Sequence, residues 1–232
     1  MKKITHYIPN TVTCMNLLSG CVAIYMAFNI GTAFGGLDAA FWCIIAIAAA
    51  AVFDFMDGAL SRLLKAFSPL GADLDSLSDL VSFGVAPAML VLNTMLLYSA
   101  TPWLCFAALL IPVCGAIRLA KFNVSTDQTT VFRGLPIPAN AIFWIGMFGW
   151  IYTYGYPGTA IMVILIVLVS LSMVGNFKMF SLKFKNFDWR DNFTRYVIIV
   201  AAVLFVIFYG LAGLAWTILL YFFLSIVQQK HI

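Results

Sequence analysis

Residues 54–62 read Asp54-Phe55-Met56-Asp57-Gly58-Ala59-Leu60-Ser61-Arg62, and residues 71–79 read Gly71-Ala72-Asp73-Leu74-Asp75-Ser76-Leu77-Ser78-Asp79. The chain has nine carboxylates, all of them Asp, and five lie within these two runs. Carboxylates spaced i, i+3 or i, i+4 project from one side of a helix. Two helices joined by a short turn can therefore direct Asp54, Asp57, Asp75 and Asp79 at one point. Because unpaired carboxylates are costly in an apolar environment, we expect a cation among them.

The composition indicates the class of protein. A hydrophobic fraction of 63% with only 9% charged residues lies outside the range of soluble globular domains. We predict an all-α, polytopic integral membrane protein with a single domain over residues 1–232, because apolar segments of about 20 residues can each cross the hydrocarbon core. The last pair of helices, appended at about 194–228, could instead form one kinked helix. About eight transmembrane helices are expected, at about 12–34, 39–62, 73–97, 103–121, 138–153, 157–177, 194–209 and 212–228.

The basic residues predict the orientation. All thirteen Lys and Arg residues fall on one side of this eight-helix layout, and the opposite loops near residues 35, 100, 155 and 211 carry none. By the positive-inside rule, both termini and the acidic stretch face the cytoplasm of a multi-pass protein in the cell (inner) membrane. No cleavable signal peptide is expected in residues 1–11. The net charge of +4 then matches anionic lipid headgroups and gives no reason to expect a nucleic-acid polymer as partner.

The residue types around the acids indicate their chemistry. Ligands that are all oxygen favour hard cations such as Mg²⁺ or Mn²⁺. Arg62 adds a planar fork suited to phosphate, and Gly58 leaves bare backbone where a ligand can approach. Together these residues describe a site for a metal-bound phosphate ester. Two other interpretations are a set of structural ion pairs and the transit site of a divalent-cation transporter.

The spacing Asp-x2-Asp-Gly-x2-Ser-Arg-x8-Gly-x3-Asp-x3-Asp over residues 54–79 resembles the signature of the CDP-alcohol phosphotransferase family, which usually has Ala at the position of Ser61. Four further segments resemble the membrane-embedded phosphatidylserine synthases of that family. They begin at Pro9-Asn10, Asp73-Leu74, Arg118-Leu119 and Phe132-Arg133, and the matches end near residue 140.

The resemblance implies an enzyme that passes the phosphatidyl group of CDP-diacylglycerol to the hydroxyl of L-serine and releases CMP. Asp79 would be the base, acting with Asp75 in the catalytic centre, and the chain would form a homodimer. By the same resemblance, Asp54, Asp57, Asp75 and Asp79 would hold Mg²⁺ or Mn²⁺. The CDP moiety would contact Asn10, Thr13, Asp57, Gly58, Ser61, Arg62 and Gly71.

The acceptor is harder to infer from the residues. The carboxylate of serine needs a cation, for which Arg118, Arg133 and Lys121 are the candidates, although each could instead anchor a lipid headgroup. Gly84 could let a substrate approach, or it could be a helix-packing glycine. Glycerol 3-phosphate or inositol phosphate are alternative acceptors, and both would need a denser cationic pocket than serine does.

Overall fold

The structure is a computed structural model that describes residues 7–124, 132–179 and 188–228. Within those ranges the chain forms eight helices, which confirms the predicted all-helical class. The prediction that about eight helices cross the membrane is supported for five of them. Two short two-stranded ladders accompany them. The helices are α1 (Tyr7–Ala27), α2 (Ala39–Leu63), α3 (Pro69–Tyr98), α4 (Pro102–Val124), α5 (Ile137–Tyr154), α6 (Thr159–Val174), α7 (Trp189–Tyr209) and α8 (Ala212–Gln228).

Five helices are long and apolar enough to cross a membrane, judged by length and composition over the described residues. They are α1, α2, α3, α4 and the Asn192–Tyr209 part of α7. Helices α6 and α8 are shorter apolar helices. The chain is therefore a helical protein with the segments that a multi-pass membrane protein requires.

The predicted bounds of the first helix were wrong. We expected it at about 12–34, but α1 begins at Tyr7 and ends at Ala27. The following segment contains Gly31, Gly35 and Gly36, all with positive φ, a backbone conformation that glycine adopts without steric cost. It forms the hairpin of strands β1 (Ala33–Phe34) and β2 (Leu37–Asp38).

At the other end of the chain, α7 and α8 are two helices and not one kinked helix. Gly210, with a φ of +57°, makes the turn between them. The two helices then pack against each other closely, because a Cβ atom on Gly213 would lie 2.6 Å from the backbone nitrogen of Val206.

Helix α3 contains a π-helical segment at Leu80–Val85, immediately after Asp79. Pro87 follows it and cannot donate a backbone hydrogen bond to the carbonyl of Phe83, one turn earlier. The side-chain amide of Asn140, on α5, donates to that carbonyl instead, over 3.0 Å. Proline and its substitute donor thus account for the widened turn, of a kind that occurs frequently at functional sites.

The helices pack into a bundle, and different helix termini meet at each of its two ends. Helix α1 lies along α2 and α3, α4 lies along α6, and α5 packs against α8. At one end of the bundle, Thr159 at the start of α6 donates a hydrogen bond to Ser99 after α3, over 2.8 Å. At the other end lie the start of α1, the end of α2 and the start of α3, and this end carries the acidic residues.

A second ladder joins the segment before α5 to the segment after α6. Strand β3 (Phe132–Arg133) pairs antiparallel with β4 (Lys178–Met179). The backbone amide of Gly134 also donates to Phe177, over 2.9 Å. This ladder holds the chain that follows α6 beside the segment that precedes α5.

Candidate active site

Three of the predicted aspartates form a cluster between α2 and α3. One carboxylate oxygen from each of Asp54, Asp57 and Asp75 lies within 4.8 Å of the other two. Asp54 and Asp57 come from the last turns of α2, and Asp75 comes from the second turn of α3. The side chain of Ser68 caps α3 by accepting from the backbone amide of Gly71 over 3.0 Å, and Pro69 follows the cap. This cap fixes where α3 begins and therefore which way Asp75 projects.

The three aspartates fit a metal ion. Oδ2 of Asp57 and Oδ1 of Asp75 are buried, and neither has a hydrogen-bond partner among the described residues. A buried carboxylate oxygen without a partner is costly, and a cation bound between the helices would remove that cost. The donor set is all oxygen, as hard divalent cations prefer. The cluster of Asp54, Asp57 and Asp75 could therefore hold a metal ion.

Asp79 lies beside this cluster without belonging to the group of three. Asp79 is partly exposed, and its carboxylate is within electrostatic range of Asp54, Asp75 and Asp57. On its buried side, Nδ2 of Asn16 lies 3.5 Å from Oδ1 of Asp79. On another side, Asp79 is within electrostatic range of Arg118, which comes from α4. Asp79 thus stands between the acidic cluster and a guanidinium group.

Hydroxyl groups on either side of Asp79 fasten α3 to α1. The Oγ of Ser82 donates to the carbonyl of Asn16 over 3.0 Å. The Oγ of Ser78 donates to the carbonyl of Leu74 in its own helix over 2.8 Å and lies 3.3 Å from the carbonyl of Thr13. Gly20 permits this close approach, because a Cβ atom there would lie 2.9 Å from Cα of Ser82. The backbone that carries Asp79 is therefore fixed against α1 one residue before it and three residues after it.

A cavity of about 470 Å³ opens beside the cluster at the junction of α1, α2 and α3, and we refer to it as the nucleotide cavity, after the residues that the sequence resemblance relates to CDP. A Cβ atom on Gly58 would meet nothing within 4 Å, so the backbone of that residue is open to the cavity. Gly71 differs, because a Cβ atom there would lie 2.9 Å from the side-chain oxygen of Asn10. The wall includes all seven residues expected to contact CDP, namely Asn10, Thr13, Asp57, Gly58, Ser61, Arg62 and Gly71, together with Asp75.

A second cavity, of about 540 Å³, lies between the ends of α4 and α6, and we refer to it as the cationic cavity. Arg118 and Lys121 line it, and the rest of its wall is largely apolar. Nζ of Lys121 donates to the carbonyl of Val174 over 3.3 Å. The Nε of Arg118 is buried without a hydrogen-bond partner in the described part of the chain. Phe122 lines both cavities, so they meet at this residue.

The other two residues expected near serine are placed differently. The backbone of Arg133 lies in β3, but its side chain falls outside the described residues. Gly84 is buried within the π-helical segment. A Cβ atom there would meet Leu80 at 3.2 Å and Ile137 at 3.5 Å, so the structure supports helix packing as the role of Gly84.

Some residues of this region were not assigned a role from the sequence. Asn16, Ser78 and Ser82 connect α1 to α3, and Phe122 separates the two cavities. A signal for the first three was present, since polar residues that recur at helical spacing within apolar helices mark a polar face. Phe122 carried no signal, because a single aromatic residue in an apolar helix is unremarkable.

The sequence profile of the CDP-alcohol phosphatidyltransferase family matches residues 6–180, which span α1 to β4. The chain belongs to this family. The matched part contains the acidic cluster and both cavities, whereas α7 and α8 lie beyond it.

Several curated relatives carry related names. The chain is 37% identical over 147 residues to a CDP-diacylglycerol–serine O-phosphatidyltransferase of Mycobacterium leprae, with 60% of this chain and 46% of the relative aligned. It is 34% identical over 172 residues to one from Methanocaldococcus jannaschii, with 74% and 72% aligned. It is also 34% identical over 179 residues to an archaetidylserine synthase of Methanothermobacter thermautotrophicus, with 75% and 71% aligned. The chain spans about half the length of the mycobacterial relatives it matches.

Proposed function

We propose that this member of the CDP-alcohol phosphatidyltransferase family transfers the phosphatidyl group of CDP-diacylglycerol to the hydroxyl of L-serine, giving phosphatidylserine and CMP. The observation that carries the proposal is the nucleotide cavity. The seven residues that the family resemblance relates to CDP come from three helices, yet they line one cavity next to the acidic cluster. Serine as the acceptor is supported by the names of the relatives.

The donor would be held at the mouth of the nucleotide cavity. Arg62, exposed in the last turn of α2, offers its guanidinium to the diphosphate. Gly58 lets the nucleotide approach the backbone, since a Cβ atom there would meet nothing within 4 Å, whereas Gly71 makes room for the side chain of Asn10 in the cavity wall. Asp54, Asp57 and Asp75 would hold Mg²⁺ or Mn²⁺, with Asp79 nearby. A divalent ion bound there would stabilise negative charge on the diphosphate and on the departing CMP.

The reaction itself needs a proton acceptor beside the electrophilic phosphorus. The serine oxygen forms a new bond to the phosphorus atom of the phosphatidyl group, and the bond from that phosphorus to the CMP oxygen breaks. The hydroxyl proton passes to the carboxylate of Asp79, a partly exposed residue adjacent to the cluster. Transfer of this kind depends mainly on positioning and on charge neutralisation.

The cationic cavity is suited to the acceptor. Arg118 lies within electrostatic range of Asp79, so an acceptor whose hydroxyl is at Asp79 can place its carboxylate near this guanidinium. The buried Nε of Arg118 is available to donate. Lys121 is a second cation on the same wall. Arg133 stays a prediction from the sequence alone.

The same arrangement agrees with a site on the cytoplasmic face of a multi-pass protein in the cell membrane. Both cavities lie at the helix ends that carry Arg62, Arg118 and Lys121, and basic residues accumulate on the cytoplasmic side. A donor with two acyl chains would keep its tails in lipid while its headgroup enters from this side. The homodimer stays a prediction from the family resemblance.

The test is an acceptor comparison with the purified full-length chain. CDP-diacylglycerol and Mn²⁺ or Mg²⁺ are supplied with L-serine, glycerol 3-phosphate or inositol phosphate, and CMP release is measured together with incorporation of labelled serine into lipid. We expect turnover with serine alone and its loss on chelation of the metal. Turnover with glycerol 3-phosphate but not with serine would contradict the proposal. Metal flux in proteoliposomes without any dependence on nucleotide would instead favour a transporter.

A further inference from the structure

Asn16 occupies an unusual position behind Asp79. It lies on α1, its side chain is 0% exposed, and Nδ2 is 3.5 Å from Oδ1 of Asp79. Asp79 itself is partly exposed. Because Asn16 is fully enclosed, a substrate that reaches Asp79 does not touch Asn16. Any effect of this amide on the reaction must therefore pass through the carboxylate of Asp79.

The amide of Asn16 does not have the bonding that a purely structural role would require. Its Oδ1 is buried and has no hydrogen-bond partner among the residues that the structure describes. A buried amide with one unpaired end destabilises a fold, and an apolar side chain of similar shape can be neutral or stabilising in its place. Burial of this amide therefore costs free energy, and packing alone does not explain why an Asn stands at this position.

The contact between α1 and α3 does not depend on this side chain either. Ser82 donates to the backbone carbonyl of Asn16, which any residue at this position would provide. The Oγ of Ser78 also lies 3.3 Å from the backbone carbonyl of Thr13. The helices would therefore remain joined if the Asn16 side chain were apolar, and what would be lost is the amide donor directed at Asp79.

We propose that Asn16 is a positioning residue that orients the carboxylate of Asp79 to accept the proton of the acceptor alcohol. The terminal torsion of an Asp side chain is broad and roughly two-fold, so a donor on one oxygen fixes which oxygen faces the substrate. The contact of 3.5 Å is at the long limit for a hydrogen bond. Catalytic hydrogen bonds of this kind are often long in the absence of substrate and shorten when it binds. This role rests on the proposed function, in which Asp79 is the base.

The experiment replaces Asn16 by Leu in the full-length protein. We expect kcat with serine to fall at least about tenfold. This loss is smaller than that from removing a general base, because Asp79 itself is still present. KM for CDP-diacylglycerol and for serine should stay within about twofold, because Asn16 touches neither substrate, and Tm should not fall. Asn16→Ala should lower kcat by the same factor, and it avoids overpacking if the Leu variant folds poorly. In the Asp79→Asn background, Asn16→Leu should cause no further loss.

Ser170→Ala is the matched control, because the Ser170 hydroxyl is also buried without a partner in the described ranges and lines neither cavity. Its kcat should equal that of the wild type. Unchanged kcat in Asn16→Leu and Asn16→Ala would overturn the role of Asn16 while leaving the proposed function intact. A parallel fall of kcat and Tm in both variants would also overturn it, since that is the result of a structural role. A wild-type protein that releases no CMP with serine would overturn the proposed function, and the role of Asn16 with it.

Discussion

The nucleotide cavity and the cationic cavity are of similar size and meet at Phe122, but their charged residues have opposite signs. The wall of the first includes Asp57 and Asp75, with Arg62 as its cation, whereas the charged residues on the wall of the second are Arg118 and Lys121. A diphosphate donor that binds with a metal ion can tolerate acidic walls, because the metal lies between the two sets of negative charge. An acceptor that brings its own carboxylate and no metal requires cations. The difference supports the proposal that the first cavity takes the donor and the second takes the acceptor.

The largest expected effect comes from removing a carboxylate of the cluster. Asp57→Asn should lower kcat by about 10⁴-fold, because several kcal/mol of metal-dependent charge stabilisation would be lost. It should also weaken Mn²⁺ binding, which can be measured directly on the purified protein. Asp73→Asn is the matched control, since Asp73 is an exposed carboxylate on the same helix as Asp75 and lines neither cavity. If both variants lost the same activity, the total negative charge of this region would be what the reaction requires, and not the position of Asp57 in the cluster.

The next effect separates chemistry from donor binding. Asp79→Asn should lower kcat by about 10³-fold, within the range for loss of a general base, because an amide cannot accept the hydroxyl proton. CDP-diacylglycerol should still bind, as equilibrium binding of the nucleotide lipid would report. A variant with normal turnover would remove Asp79 from the mechanism.

A pair of arginine variants tests the assignment of the cavities to substrates. Arg118→Ala should raise KM for serine by about 10–100-fold, because a hydrogen bond to a charged group worth about 1.5–3 kcal/mol would be lost. Arg62→Ala should instead raise KM for CDP-diacylglycerol. Steady-state kinetics with each substrate varied in turn gives both values. If either variant raised both KM values equally, the division into donor and acceptor cavities would be wrong.

The smallest effect compares two glycines. Gly20→Ala should destabilise the protein by about 1–3 kcal/mol, because the new methyl group would overlap Ser82 at the contact of α1 with α3. Thermal unfolding should then show a Tm lower by about 2–4 °C per kcal/mol. Gly58→Ala should leave Tm unchanged, since a Cβ atom there meets nothing within 4 Å, but it should raise KM for the donor. If Gly58→Ala lowered Tm and Gly20→Ala raised KM for the donor, the structural role would belong to Gly58 and the binding role to Gly20.

Much of this site was predictable because its signals are local. Asp54 and Asp57 share one helix face, Asp75 and Asp79 share another, and Ser68-Pro69 marks where the second helix begins. Hydropathy indicated the helices but left open whether residues 194–228 form two helices or one kinked helix. The end of α1 was not predicted, because its apolar residues continue into a segment where glycines stop the helix.

The remaining features depend on contacts between residues that are distant in sequence. The cationic cavity needs Arg118 of α4 to meet the end of α6, and no local pattern specifies that approach. The π-helical segment requires Asn140 to replace the donor that Pro87 lacks, more than fifty residues away. The position of Asn16 behind Asp79 likewise follows from the packing of α1 on α3.

The widened turn at Leu80–Val85 also affects how this chain can vary in length. An α-helix advances by about 100° per residue, so one residue inserted or deleted within the regular part of α3 would rotate everything beyond it by roughly that angle. A π-helical turn holds one residue more than an α-helical turn. Deleting one residue between Leu80 and Val85 would therefore restore regular pitch and leave the distal half of α3, including the fully buried Leu90 and Met95, close to its present orientation. Single-residue differences in length among natural homologues should fall in the wide turn or in the connection at residues 99–101, and spare the regular turns of α3.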